Sequence, residues 1–119
     1  GQAPEIHGDG EQSRDFTFVA NVVAANLAAA EAPAEALGQV YNVAYGATTS
    51  VNTMLARLQG LFGTSITPTH TPPRAGDVPK SHADISLAQK NLGYSPQISF
   101  DEGLAKTVEW FKQSQKAVV

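Results

Sequence analysis

Val40-Tyr41-Asn42-Val43-Ala44, followed by Ser50-Val51-Asn52-Thr53-Met54-Leu55 and then Leu58, Leu61, Phe62 and Gly63, holds a strand pattern and a helix pattern in close succession. Val40 to Ala44 reads as a strand, ended by Gly46. Ser50 is placed to cap a helix, because its hydroxyl can accept from an otherwise orphaned first-turn N–H. Val51, Met54, Leu55, Leu58, Leu61 and Phe62 recur at helical spacing and form the stripe expected to be buried. Gly63 stands where a helix-ending glycine belongs.

The pattern extends in both directions. Upstream, Pro4-Glu5-Ile6-His7 is short and extended, and Gly8-Asp9-Gly10 is a turn signal. Arg14 to Val19 alternates loosely, as a strand or extended entry. From Asn21, an expected cap, Val22, Val23, Leu27 and Ala30 repeat at helical spacing. Pro33 and Gly38 bracket the exit. Downstream, Ile66 among threonines and Pro68 suit an edge strand over Ser65 to Thr71. Arg74 to Ala83 has no period and reads as a loop. Ser86 is the expected cap of a short helix ending at Gly93. Ser99-Phe100-Asp101-Glu102 is a capping box. It opens a last helix with Phe100, Leu104, Val108 and Phe111 on its apolar face and Trp110 off that stripe. The expected order is β, β, α, β, α, β, loop, α, α. That predicts one mixed α/β (α+β) domain over residues 1–119, with short strands and about four helices.

Composition narrows the function. The chain has 119 residues, 42% hydrophobic and 16% charged, with a net charge of −3 and eight Lys and Arg. A chain so poor in basic residues does not suit non-specific nucleic-acid binding. No run approaches the ~20 apolar residues of a membrane span. The start, Gly1-Gln2-Ala3-Pro4-Glu5, lacks the features of a signal peptide. With no cysteine there is neither disulfide nor thiolate zinc site, and a cytoplasmic setting is the expectation. His7, His70 and His82 have no metal-ligand spacing.

Two segments carry chemistry. Arg14-Asp15-Phe16 and Arg74-Ala75-Gly76-Asp77-Val78 each put a permanent cation near a carboxylate. The planar fork of arginine suits phosphate. Two arginines can hold a diphosphate, and Asp77 can accept from a ribose hydroxyl or a base N–H.

Gly8-Asp9-Gly10, Arg14-Asp15-Phe16, Tyr41-Asn42-Val43, Thr49-Ser50, Arg74-Ala75-Gly76-Asp77-Val78, Ala83-Asp84 and Leu92-Gly93-Tyr94-Ser95-Pro96 occur in series over nearly the whole chain. In this the sequence resembles the C-terminal, substrate-binding portion of extended short-chain dehydrogenase/reductases, the NAD-dependent epimerase/dehydratase family. The nearest likeness is to UDP-glucose or UDP-N-acetylglucosamine 4-epimerases. The resemblance implies a UDP-sugar partner and NAD as cofactor of the parent enzyme. It implies an N-terminal Rossmann domain, missing here, that carries the glycine-rich turn and the catalytic Tyr-x-x-x-Lys. Neither motif is present in this chain, so no catalytic residue is expected in it, no NAD bound to it alone, and no activity in isolation.

By the same resemblance Arg14 and Arg74 reach the diphosphate, and Asp77 the ribose or base. His7 falls where relatives carry a Tyr or Phe that stacks on the pyrimidine. Ser81 falls at a position that sets the size of the sugar pocket, and a small residue there admits N-acetyl sugars. The family often has Asp where this chain has Ala20, which removes a cap. The alternatives are a dehydratase, decarboxylase or reductase of the same family, a stand-alone binding module that dimerises through the surface meant for the Rossmann domain, or a fragment.

Overall fold

Ser13 and Arg14 form one of the two shortest strands, and the 79–81 segment is bonded to it. The computed structural model describes residues 2–116, the side chain of Lys116 excepted. The strands are β1 (Glu5–His7), β2 (Ser13–Arg14), β3 (Thr49–Ser50) and β4 (Thr69–Thr71). The helices are α1 (Val19–Ala30), α2 (Val51–Phe62), α3 (Ser86–Leu92) and α4 (Phe100–Lys116), with a 3-10 turn at Ala34–Ala36 after α1.

β1 and β4 pair in parallel, with Ile6 opposite His70 and His7 opposite Thr71. β2 pairs with β3 antiparallel. The other edge of β2 is also used. The Ser13 N–H donates to the Pro79 carbonyl at 2.9 Å, and the Ser81 N–H donates to the Ser13 carbonyl at 3.0 Å. β2 is thus the middle of a three-segment ribbon, and a mixed α/β fold is what the chain forms.

Helix ends follow the sequence where a cap was legible. The Ser50 hydroxyl accepts from the Thr53 N–H at 3.2 Å, and Gly63 closes α2 in the left-handed region at φ 66°. Ser99 accepts from the Glu102 N–H at 3.2 Å at the start of α4. Two expected caps are different. α1 begins at Val19 after Phe18, without a side-chain cap. Asn21 lies inside the helix, 2% exposed, with another task. Its Oδ1 accepts from the Gln97 and Ile98 N–H groups, each at 3.0 Å, and its Nδ2 donates to the Ile98 carbonyl at 2.8 Å. At α3 Ser86 is the first helical residue, and the Asp84 carboxylate accepts from its N–H at 2.9 Å. That bond is the main cause holding the Asp84 carboxyl below its ordinary value.

The buried cluster is Ala25, Ala44, Ile85, Ala88 and Tyr94, flanked by Tyr41, Val43, Ala83 and Leu92. The Tyr94 hydroxyl donates to the Ala44 carbonyl at 2.8 Å, and burial pushes the phenol up from its ordinary range. Small side chains let α1 and α3 approach closely here, Ala25 from one and Ala88 from the other.

That approach reverses the face expected for α1. Val22, Val23 and Leu27 are exposed, Leu27 at 62%, while Asn21 and Ala25 are buried. The expected strand at Val40–Ala44 is not one either. Its side chains alternate, Tyr41 and Val43 inward and Val40 and Asn42 outward, with Val40 91% exposed. Among the described residues no other segment pairs with its backbone, so the pattern lacks the ladder that makes a strand. The third strand is Thr49–Ser50 instead. Likewise the expected Arg14–Val19 strand is regular only at Ser13–Arg14.

α2 and α4 pack on each other, but thinly: no α2 residue is fully buried. Phe62 and Phe111 meet edge to face, with centroids 6.3 Å apart, and both stay partly exposed. The chain measures 51 × 39 × 20 Å, with a radius of gyration of 17.3 Å. A compact chain of this length has a radius of about 13.5 Å. Its accessible surface of 8016 Å² exceeds by about 1,800 Å² what a compact monomer of this mass presents.

Candidate functional site

The turn at Gly8-Asp9-Gly10 joins β1 to β2 and is fastened to the first turn of α2. The Asn52 side chain donates to the Asp9 carbonyl at 2.9 Å and to the Glu11 carboxylate at 2.6 Å. The Asn52 N–H donates to the Gly10 carbonyl at 3.0 Å, and the Val51 N–H to the Gln12 carbonyl at 3.1 Å. Gly10 is at φ 81°, and the space a Cβ would need is filled by the Asn52 amide. Glycine is required on both counts. This turn is the nearest thing in the chain to a glycine-rich phosphate loop, and its open side is occupied. It does not fit the pyrophosphate of a dinucleotide, and it leads into a strand rather than a helix.

One cavity of about 680 Å³ lies between this turn, β4 and the 74–79 loop. His7, Arg74 and Asp77 line it together with Asp9, His70 and Thr71. Arg14, on β2, is not among the lining residues and joins the cavity only through Asp77. Its Nη2 donates to the Asp77 carboxylate at 2.5 Å, across 63 residues of sequence, and its Nη1 donates to the Ser13 carbonyl at 2.8 Å. Both members of the ion pair are about one-third exposed, at 31% and 35%. Among the described residues the Arg74 guanidinium has no ion-pair partner. The 74–77 turn is closed by the Asp77 N–H donating to the Arg74 carbonyl at 3.2 Å, and Gly76 takes φ 79°. The Arg74-Ala75-Gly76-Asp77 stretch is therefore a tight turn that places a cation and a carboxylate at one rim.

His7 stands on the same face of β1 as Glu5, with Thr71 Oγ1 2.9 Å from its Nδ1 and Glu5 Oε1 3.7 Å from its Nε2. His70 donates from Nδ1 to the Gly8 carbonyl at 2.7 Å. Ser81 does not line this cavity. Its backbone is bound to β2 beside Arg14, and its side chain is exposed. Asp9, His70 and Thr71 are not among the binding residues expected from the sequence. The signal for the last two was their position on an edge strand whose partner, β1, carries His7. His82 is elsewhere, bonded through Nε2 to the Gly46 carbonyl at 3.1 Å. Among the described residues no group of three His, Asp or Glu side chains is placed to hold a metal ion.

Asp15, beside Arg14, is structural. It accepts from the Tyr45 and Gly46 N–H groups, each at 3.0 Å, and so pins the end of the 40–46 segment to β2. Among the described residues no helix is long and apolar enough to cross a membrane.

The cavity offers an anion the Arg74 guanidinium and offers a donor the Asp77 carboxylate, to which Arg14 is paired.

Comparison with known proteins agrees with this architecture. The family described as GDP-mannose 4,6 dehydratase matches residues 1–107. The UDP-glucose 4-epimerase of Mycolicibacterium smegmatis is 39% identical over 116 residues, 98% of this chain and 36% of that protein. The crystal structure of UDP-glucose 4-epimerase from Thermotoga maritima with UDP-glucose superposes with a TM-score of 0.88 at 39% identity, covering 96% of this chain and 36% of that one. The UDP-glucuronic acid 4-epimerase of Bacillus cereus, in complex with UDP-glucuronic acid and NAD, gives 0.85 at 32% identity, covering 92% and 35%. The chain thus spans about a third of the length of these relatives. Its helices and short strands match the C-terminal part of epimerase structures. It belongs to the NAD-dependent epimerase/dehydratase family of extended short-chain dehydrogenase/reductases.

Proposed function

We propose that residues 1–119 form the nucleotide-sugar-binding domain of a NAD-dependent UDP-sugar 4-epimerase. Arg14 and Arg74 hold the diphosphate, Asp77 accepts from the ribose or base, and His7 stacks on the pyrimidine. The observation that carries this is the meeting of His7, Arg74 and Asp77 on one cavity, with Arg14 joined to Asp77. The relatives support it, since the T. maritima and B. cereus enzymes hold UDP-sugars. The domain's share of the work is binding and orientation, which fix the nucleotide while the sugar reacts elsewhere. NAD and the catalytic Tyr and Lys belong to the Rossmann domain of the parent enzyme. Ser81, outside this cavity, is assigned to the sugar pocket by its place in the family motif alone, where its small side chain would leave room for an N-acetyl group.

The test is a calorimetric or NMR titration with UDP, using dTDP and uridine as controls. UDP binds in preference to both, and Arg74→Ala weakens it by about tenfold or more, as loss of a charged hydrogen-bonding group does. Equal binding of uridine and UDP would show that the arginines hold no diphosphate.

A second role is favoured by the exposed apolar side chains of α1 and of the α2–α4 pair, Phe62, Trp110 and Phe111 among them. Patches of this kind mark docking surfaces. In a stand-alone module the same surface would make a homodimer.

A further inference from the structure

The cavity proposed to hold a diphosphate does not have a cationic wall. Asp9, Glu11 and Asp77 line it against a single guanidinium, that of Arg74. Arg14 adds its charge only from behind Asp77. While the histidines are neutral the lining is net negative, which opposes an anion. The other titratable lining groups are His7 and His70. A proton on each cancels the excess of carboxylates.

The two imidazoles stand on paired strands, in the register that sets His7 opposite Thr71 and Ile6 opposite His70. Both have surroundings that suit a doubly protonated ring. The Gly8 carbonyl, 2.7 Å from His70 Nδ1, can only accept, so Nδ1 carries the proton and Nε2 is the nitrogen that takes a second. At His7, Nδ1 lies 2.9 Å from Thr71 Oγ1 and Nε2 lies 3.7 Å from Glu5 Oε1. The Thr71 hydroxyl has two other acceptors for its own proton, Glu5 Oε1 at 3.3 Å and the Ile6 carbonyl at 3.5 Å. It can therefore receive an N–H from His7 and still donate. Glu5 on β1, Asp9 and Glu11 on the turn, and Arg74 and Asp77 on the loop are the other charged groups around the pair.

We propose that His7 and His70 are proton-dependent anion receptors, so that the cavity takes up a diphosphate together with protons. The inference rests on the nucleotide-binding role proposed above and adds His70 to its contacts. An anion favours the charged ring, so affinity is highest at low pH and falls as pH rises through the range in which imidazole loses its charge.

The test is calorimetric titration of the whole chain with UDP-glucose between about pH 8 and about pH 5.5. Its diphosphate is esterified at both ends and does not titrate there, unlike the terminal phosphate of UDP. Wild-type protein binds about three- to tenfold more tightly at the lower pH, and buffers of different ionisation heat register proton uptake. His7→Phe keeps a flat ring, and His70→Asn keeps a donor for the Gly8 carbonyl. Each reduces the pH slope, and together they abolish it. His82→Gln, away from the cavity, leaves it as it was. A wild-type affinity that does not vary with pH overturns the proposal, and so does an undiminished slope in the double variant.

A second readout needs no variant. In an NMR titration of the wild-type chain, the carbon-bound protons of His7 and His70 show midpoints that move up when UDP-glucose is present. Unmoved midpoints with UDP-glucose bound overturn the proton link alone. Failure of UDP-glucose to bind at any pH overturns the proposed function, and the link with it.

Discussion

Asn21 fills both acceptor positions of its amide oxygen with N–H groups and gives one hydrogen bond back from its nitrogen, all within the 97–98 segment. It ties α1 to the entry of α4, a junction that no local pattern announces. Removing it leaves partly buried backbone groups without partners, each a cost of about 1 kcal/mol. Asn21→Ala should lower the unfolding free energy by about 3 kcal/mol in urea titration, far more than loss of a helix cap would. Gly103 is a second such position, since a Cβ there would meet the Phe18 side chain closer than 3.0 Å. Gly103→Ala should cost about 1–3 kcal/mol by overpacking, seen as a lower thermal midpoint.

Asp84 gives a pH dependence. Its carboxyl titrates lower in the folded chain than in the unfolded one because it accepts from the Ser86 N–H. Its contribution is full above the ordinary carboxylate value and is lost as pH falls through the lower folded value. Asp84→Asn should therefore flatten the acid limb of the stability curve, and an unchanged limb would mean the bond does not form in solution.

At the scale of elements, α2 was legible at both ends. Ser50 and Gly63 cap it as their chemistry requires, and Ser50→Ala should cost about 1 kcal/mol on chemical denaturation. α1 was legible as a helix but not for its face. Helical spacing of valines says that a face is apolar, not that this chain covers it. Ala25 and Ala88 won the contact because only small side chains let the helices close. Val23→Lys and Leu27→Lys should accordingly change stability by no more than about 0.5 kcal/mol each, where a core position would lose several times that.

Val40–Ala44 failed as a strand for a related reason. Alternation is a property of the segment, but a ladder needs a neighbour. The site divides in the same way. Arg14, Arg74 and Asp77 could be picked out by residue type and motif, and the cavity brings His7 to them. The Arg14–Asp77 pair could not be read, because nothing local joins residues 63 apart; the bridge of Ser13 to the 79–81 loop does that. Ser81 was placed by counting along a motif, and the cavity does not include it.

Seen whole, the chain is a plate with exposed apolar side chains on α1 and on the α2–α4 pair. Small-angle scattering should return a radius near the 17.3 Å of the single chain if it stays monomeric, and a larger value with doubled mass if it pairs with itself. Where pairing occurs, Val23→Lys with Leu27→Lys should return the monomer in light scattering. A dimer indifferent to both substitutions would place its contact away from α1. The thinness of the plate, 20 Å, has one more consequence. No group in it lies deeper than about one Debye length at ordinary ionic strength. The charges of the cavity thus stay within range of dissolved ions, and potassium chloride alone should act as a tuning knob, loosening the grip of the arginines on a diphosphate while leaving the binding of an uncharged nucleoside where it was.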